Sequence, residues 1–144
     1  VSVILVASGL LAVLTGCAQG PDPRIVRLND VLDELELSSI SEIACDFTRV
    51  PGFINPSGSV HKRLIGLEGA GHAEEAVERL LAAGFTSVDE RGGVLEFSGE
   101  AGMRASVAVV AVDSELSGTE VNIYGSYSCT YPETGMTAVV LTLK

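Results

Sequence analysis

Two histidines, His61 and His72, lie near the carboxylates Glu68, Glu74 and Glu75, and metal or acid–base chemistry would be sought there first. Helical zinc sites of proteases place two histidines four residues apart, so that both imidazoles reach one ion from a single face. His72-Ala73-Glu74-Glu75 has no second histidine at that spacing, which predicts a solvated or capping histidine and no metal site. Serines are plentiful, but none sits in Gly-x-Ser-x-Gly, the strained turn that exposes a nucleophile. Ser57-Gly58-Ser59 beside His61 has the composition of a loop.

Carboxylates occur as the adjacent pairs Asp33-Glu34, Glu74-Glu75 and Asp89-Glu90. Catalytic pairs flank a bond from two sides, whereas neighbours on one helix or turn mark a solvated face. The Gly66-Leu67-Glu68-Gly69-Ala70-Gly71 stretch before a helix could cradle an anion on backbone N–H groups. It lacks the Gly-Lys-Ser/Thr ending of a phosphate loop, and Glu68 would repel phosphate, so it reads as a flexible lead-in to the helix. These residues predict no catalytic site, no cofactor and no enzyme.

One basic cluster stands out in an acidic chain: His61-Lys62-Arg63, near the apolar pair Phe53-Ile54. Basic side chains beside apolar ones on a turn-rich loop suit contact with anionic headgroups or a protein partner. Phe53, Ile54, His61, Lys62 and Arg63 are therefore the candidate surface contact. The alternative is an ordinary solvated strand whose hydrophobic residues are buried.

Cys45 and Cys129 are the remaining chemical candidates. Alternation places Ile43, Cys45 and Phe47 on one face of a strand, and Val121, Ile123, Tyr127 and Cys129 on one face of another. Both thiols then point to apolar sides, which suits a disulfide in an oxidising compartment. Two buried free thiols are the alternative.

The third cysteine carries a different signal. Leu14-Thr15-Gly16-Cys17 closes the apolar run from Val1 to Leu14 and precedes a polar, Pro-containing stretch. This resembles the lipobox of bacterial lipoproteins. The resemblance implies that the Cys17 thiol receives a diacylglyceryl group, that residues 1–16 are removed as a signal peptide, and that the new amino terminus takes a further acyl chain such as palmitate. It also implies an extracytoplasmic address on the cell membrane. An uncleaved membrane helix is the alternative, but it needs about 20 apolar residues. The run before Thr15 falls short of that length and fits a signal-peptide core. Two or three acyl chains anchor stably where one does so marginally.

The elements that must position these residues follow from periodicity. Asp22 and Pro23 suit the N-cap and first turn of a helix running to about Leu37, with Ile25, Leu28, Val31, Leu32 and Leu35 on its core face. A strand over 42–50 and a short one over 60–67 precede a second helix, 73–83, whose core face is Ala73, Ala76, Val77 and Leu80. Strands over 86–90 and 94–98 flank the turn Arg91-Gly92-Gly93. A covered strand over 104–112, an alternating strand over 119–131 and a last strand over 137–143 complete the chain. The pattern predicts an α+β fold with two helices packed on one face of an antiparallel sheet of about five strands.

The expected organisation is a signal peptide (1–16), a lipidated N-terminus and short tether (17–22), and one α+β domain (23–144). All charged residues follow Cys17, so the domain carries the whole net charge of -10. That charge repels nucleic acid and acidic lipid, so neither is expected as a partner through charge. The expected function is a lipid-anchored, non-enzymatic interaction or accessory module for another envelope protein, bound to the membrane through its N-terminal lipid. A module for a small apolar ligand or lipid, held between helices and sheet, is the second expectation, and a hydrolytic enzyme the third.

Overall fold

The structure, a computed structural model, describes residues 20–51, 60–112, 115, 118, 120–123 and 127–144, and the side chains of 120–128 are not among what it describes. Cys17, Phe53 and Ile54 lie outside the described residues. The fold is α+β. Helix α1 spans Pro23–Leu35, and a 3-10 turn, Leu37–Ser39, follows it. Strands β1 (Ile43–Arg49) and β2 (His61–Glu68), helix α2 (Ala73–Ala82), then β3 (Thr86–Arg91), β4 (Val94–Ser98) and β5 (Arg104–Val110) follow in order. Strands β6 (Glu120–Ile123), β7 (Tyr127–Thr130) and β8 (Met136–Leu143) close the chain. Six strands form an antiparallel sheet in the order β1-β2-β8-β5-β4-β3, while β6 and β7 form a separate ribbon. The single alternating strand expected over 119–131 is thus two strands paired with each other, Val121 opposite Cys129. Alternation along one strand and along a hairpin look alike in sequence.

Both helices lie on one face. Helix α1 rests on β2 and β8, and α2 on β5 and β3. Between them and the sheet sit Leu28, Leu35, Leu67, Leu80, Val107, Val139 and Leu141, all essentially inaccessible to solvent. Each such leucine contributes about 1.5–3 kcal/mol by burial. Helix α1 stops at Leu35, two residues short of the expected end, because Glu36 turns left-handed at φ 47°. That conformation is unfavourable for a residue with a Cβ. Arg79 of α2 reaches across to it, with Nη1 3.2 Å from Glu36 Oε2 and Nη2 3.1 Å from Ser39 Oγ. The same Arg79 also pairs with Glu75, one turn earlier in α2, at 3.9 Å. The hairpin turn is as expected: Gly92 and Gly93 take φ 57° and 80°, the two positive values that a two-residue reversal between twisted strands requires.

The opposite face is organised around the Cys45–Cys129 disulfide, with a Cα–Cα distance of 5.3 Å. The bridge ties the β6–β7 ribbon to edge strand β1, and Cys45, Met136 and Ala138 form a second buried cluster with Leu64, Val110 and Tyr131 around it. Ile43 does not share the face of Cys45 and Phe47, as the alternation predicts. The pairing slips between Ile43 and Cys45, so Ile43 sits opposite Leu67 and joins the helix-side core while Cys45 sits opposite Gly66. A bulge adds one residue and flips every later side chain. Gly66, which the sequence places both near the end of the expected strand 60–67 and at the start of the glycine-rich lead-in, lies within β2 directly below the bridge. A Cβ there would meet Met136 Sδ and come within 2.9 Å of Cys45 Cβ. Met136 can swing aside, but the bridged Cys45 cannot. Gly66→Val is expected to cost about 1–3 kcal/mol of unfolding free energy through overpacking, read by urea denaturation. An unchanged midpoint would show that the bridge and β2 have room to separate.

Candidate functional site

Strand alternation breaks up the basic cluster that the sequence presents as a unit. His61 and Arg63 fall on the helix side of β2, and Lys62 falls on the opposite side. His61 is no surface residue: only 3% of it is exposed. Its Nε2 lies 2.8 Å from Oδ2 of Asp22, and its Nδ1 is buried without a partner. Asp22 performs two tasks, since Oδ1 accepts the Arg24 backbone N–H at 2.9 Å and caps α1. The cap was legible from Asp22-Pro23; its tie to His61, 39 residues away, was not.

The Arg24 backbone N–H, followed by the His61 ring and the charge of Arg24, holds the Asp22 carboxyl below its ordinary value of 3.8, against the opposing effect of partial desolvation. A carboxyl whose pKa is lowered by folding stabilises the folded state above its unfolded pKa, and that contribution disappears as pH falls through the folded value. The window therefore lies below about pH 4. Asp22→Asn keeps a capping oxygen but cannot ionise, so its melting temperature should approach that of the wild type as pH falls through this window. A gap between the two that stays constant from neutral pH to below the window would show that the charge of Asp22 adds nothing.

Arg63 is positioned very differently. It lies opposite Thr48 in the β1–β2 pairing, and Nη1 donates to Asp46 Oδ1 and to Thr48 Oγ1 while Nη2 reaches Asp46 Oδ2 at 3.3 Å. Its Nε is buried without a hydrogen-bond partner. The Arg63–Asp46 pair forms part of the wall of an open groove of about 480 Å³. The groove exists because α1 rests over β2 and β8, which leaves the flank of edge strand β1 uncovered. Leu32, Leu37, Ile43 and Ile65 give it apolar lining, and Asp33, Glu36 and Asp46 line it with carboxylates, of which Arg63 engages Asp46 and Arg79 engages Glu36.

No protein family, curated protein or solved structure matches this chain. Among the described residues, no three of His, Cys, Asp and Glu gather closely enough to hold a metal ion, and no helix is long and apolar enough to cross a membrane. His72 begins α2 without a side-chain cap bond; its backbone N–H donates to Thr137 Oγ1 at 3.3 Å. Thr137, fully buried, donates in turn to the Gly69 carbonyl at 2.9 Å. The glycine-rich lead-in is therefore fastened to β8. The sequence missed the groove because its acidic residues come from helix, cap and strand at wide separation, and Asp33 and Glu36 read as one solvated helix face.

Proposed function

We propose that this protein is a lipid-anchored envelope lipoprotein that works as a non-enzymatic interaction module, docking another envelope protein in the groove beside β1. The observation that carries the reading is the groove itself, an acidic and partly apolar channel beside edge strand β1. Such an edge offers backbone hydrogen bonds to an extended segment, and alternate side chains can enter the flanking channel. Asp33, beside the Arg63–Asp46 and Arg79–Glu36 pairs, suits a segment that carries Lys or Arg. The filled helix–sheet interface supports this reading over a carrier of small apolar ligands, which needs open volume there. The lipobox pattern at Leu14–Cys17 supports the anchor and the extracytoplasmic address.

Two measurements test it. Intact-mass analysis of the full chain made in a bacterial host should show loss of residues 1–16 and a diacylglyceryl increment that Cys17→Ser abolishes. Photo-crosslinking residues placed at Glu36 and Asp33 should capture one envelope protein through a basic segment, whereas the same residue at Glu90, on the far edge strand's hairpin, should not. Equal capture from both places would remove the groove from the proposal, and an unprocessed chain would remove the anchor.

A further inference from the structure

The net charge of -10 hides a segregation that only the fold reveals. On the sheet face away from the helices, the pairing aligns one residue from each of five neighbouring strands into a row. Arg49 of β1 sits opposite Lys62 of β2, Lys62 opposite Thr142 of β8, Thr142 opposite Arg104 of β5, and Arg104 opposite Ser98 of β4. Neighbouring strands lie about 4.8 Å apart, so Lys62 and Arg104 flank Thr142 at a separation of about 10 Å. They line a shallow depression of about 270 Å³ together with Ser98, Ser106 and Thr142. Glu96 also lines it, but neither Lys62 nor Arg104 makes an ion pair among the described residues. Lys144, the last residue, follows on the same strand end, and Arg24 lies in the first turn of α1, whose cap Asp22 meets His61 opposite Leu143.

The acids at this end are Asp22, already engaged by His61 and the α1 amide, Glu100 in the β4–β5 connection, and Asp30 and Glu34 of α1, which line one hollow with Glu100 and have Arg27 among them. Glu36, Glu42, Glu68, Glu74, Glu75 and Glu133 all lie at the other end of the strands and helices. The domain is therefore polarised, and the chain enters it at the basic end, with Gly20 and Pro21 next to Asp22. The five residue-to-residue steps from Cys17 to Asp22 can span at most about 17 Å.

We propose that this basic end is a membrane-facing surface on which Lys62, Arg104, Lys144 and Arg24 meet the anionic phospholipid headgroups of the bilayer that holds the N-terminal lipid. The proposal rests on the anchor reading. It turns a flexible attachment into an oriented one: the basic row lies against the headgroups, and the acidic end, repelled by the same surface, points away. Charges act on a headgroup surface only within about a Debye length, some 8 Å in physiological salt. The short tether holds the row close enough to make such contact.

The chain contains only two lysines, Lys62 and Lys144, and both lie at this end, so amine labelling reads the surface directly. The full chain, purified from its host membrane with its mass recorded, is added to preformed vesicles. These are made of phosphatidylcholine alone or of phosphatidylcholine mixed equally with phosphatidylglycerol, and a membrane-impermeant acylating reagent then reports each lysine by mass spectrometry. Labelling of Lys62 and Lys144 is expected to slow about fivefold on the anionic vesicles. High salt should remove the protection, Arg104→Glu should weaken it at Lys62, and Arg91→Glu at the far end should leave it unchanged. A lipidated, vesicle-bound protein labelled equally on both membranes would overturn the orientation and leave the anchor standing. A chain of unlipidated mass would overturn the anchor, and this proposal with it.

Discussion

Replacing Cys45 and Cys129 together by alanine should lower the unfolding free energy by about 4–5 kcal/mol, because the bridge closes a loop between residues 84 apart. Nearly the whole sheet lies inside that loop: five of the six sheet strands, β1 to β5, and the β6–β7 ribbon fall between the two cysteines. The unfolded chain thus loses much of its freedom to a single bond. Urea denaturation of the oxidised protein, the reduced protein and the double variant provides the measurement. Reduced and double-alanine forms should coincide at the lower midpoint, apart from the small effect of removing the thiols. A drop of less than about 1 kcal/mol would mean that the bridge clamps the ribbon onto β1 and does little for the sheet.

That expectation separates what the sequence could express from what it could not. The two cysteines and their pairing were legible, because two cysteines on apolar strand faces pair most simply with each other. The geometry around the bridge was not. Gly66 falls where an expected strand and a glycine-rich lead-in overlap, and only the pairing of β1 with β2 reveals that it lies under Cys45. Ile43 reads as a neighbour of Cys45 on the same face, and only the bulge sends it to the helix side. Both facts depend on a partner strand distant in sequence, which local alternation does not encode.

The helices were legible for the opposite reason. Leu28, Leu32 and Leu35, and Ala76 and Leu80, repeat at helical spacing within one element, and the same residues are the buried ones. The basic cluster failed as a site because three consecutive residues on a strand cannot share a face. His61 entered the protein to meet Asp22, Arg63 bound Asp46, and Lys62 alone went to the outer row. The polarity of the surface emerges only when five strands are set side by side, since Arg49, Lys62, Arg104 and Lys144 are scattered along the sequence.

The last strand poses the sharpest test of the sheet's two faces. Met136-Thr137-Ala138-Val139-Val140-Leu141-Thr142-Leu143 is apolar nearly throughout, as expected of a strand covered on both sides, and its pattern does not say which side holds the larger core. In the structure β8 lies between β2 and β5 at the centre of the sheet. Leu141 faces the helices and is wholly buried, whereas Val140 faces the other way beside Ser106 and Leu64 and is only half-buried. Leu141→Ala is therefore expected to cost about 3–4 kcal/mol, the lost burial plus the cavity left among side chains that hold their places. Val140→Ala should cost less than about 1 kcal/mol, since it removes two methyl groups from a partly solvated face. Urea denaturation of the two variants gives the comparison, and the difference between them matters more than either value. Equal losses would mean that the outer face is covered as firmly as the inner one. The row containing Lys62 and Arg104 would then be closed to a bilayer, and the orientation proposed for the domain would have no surface on which to act.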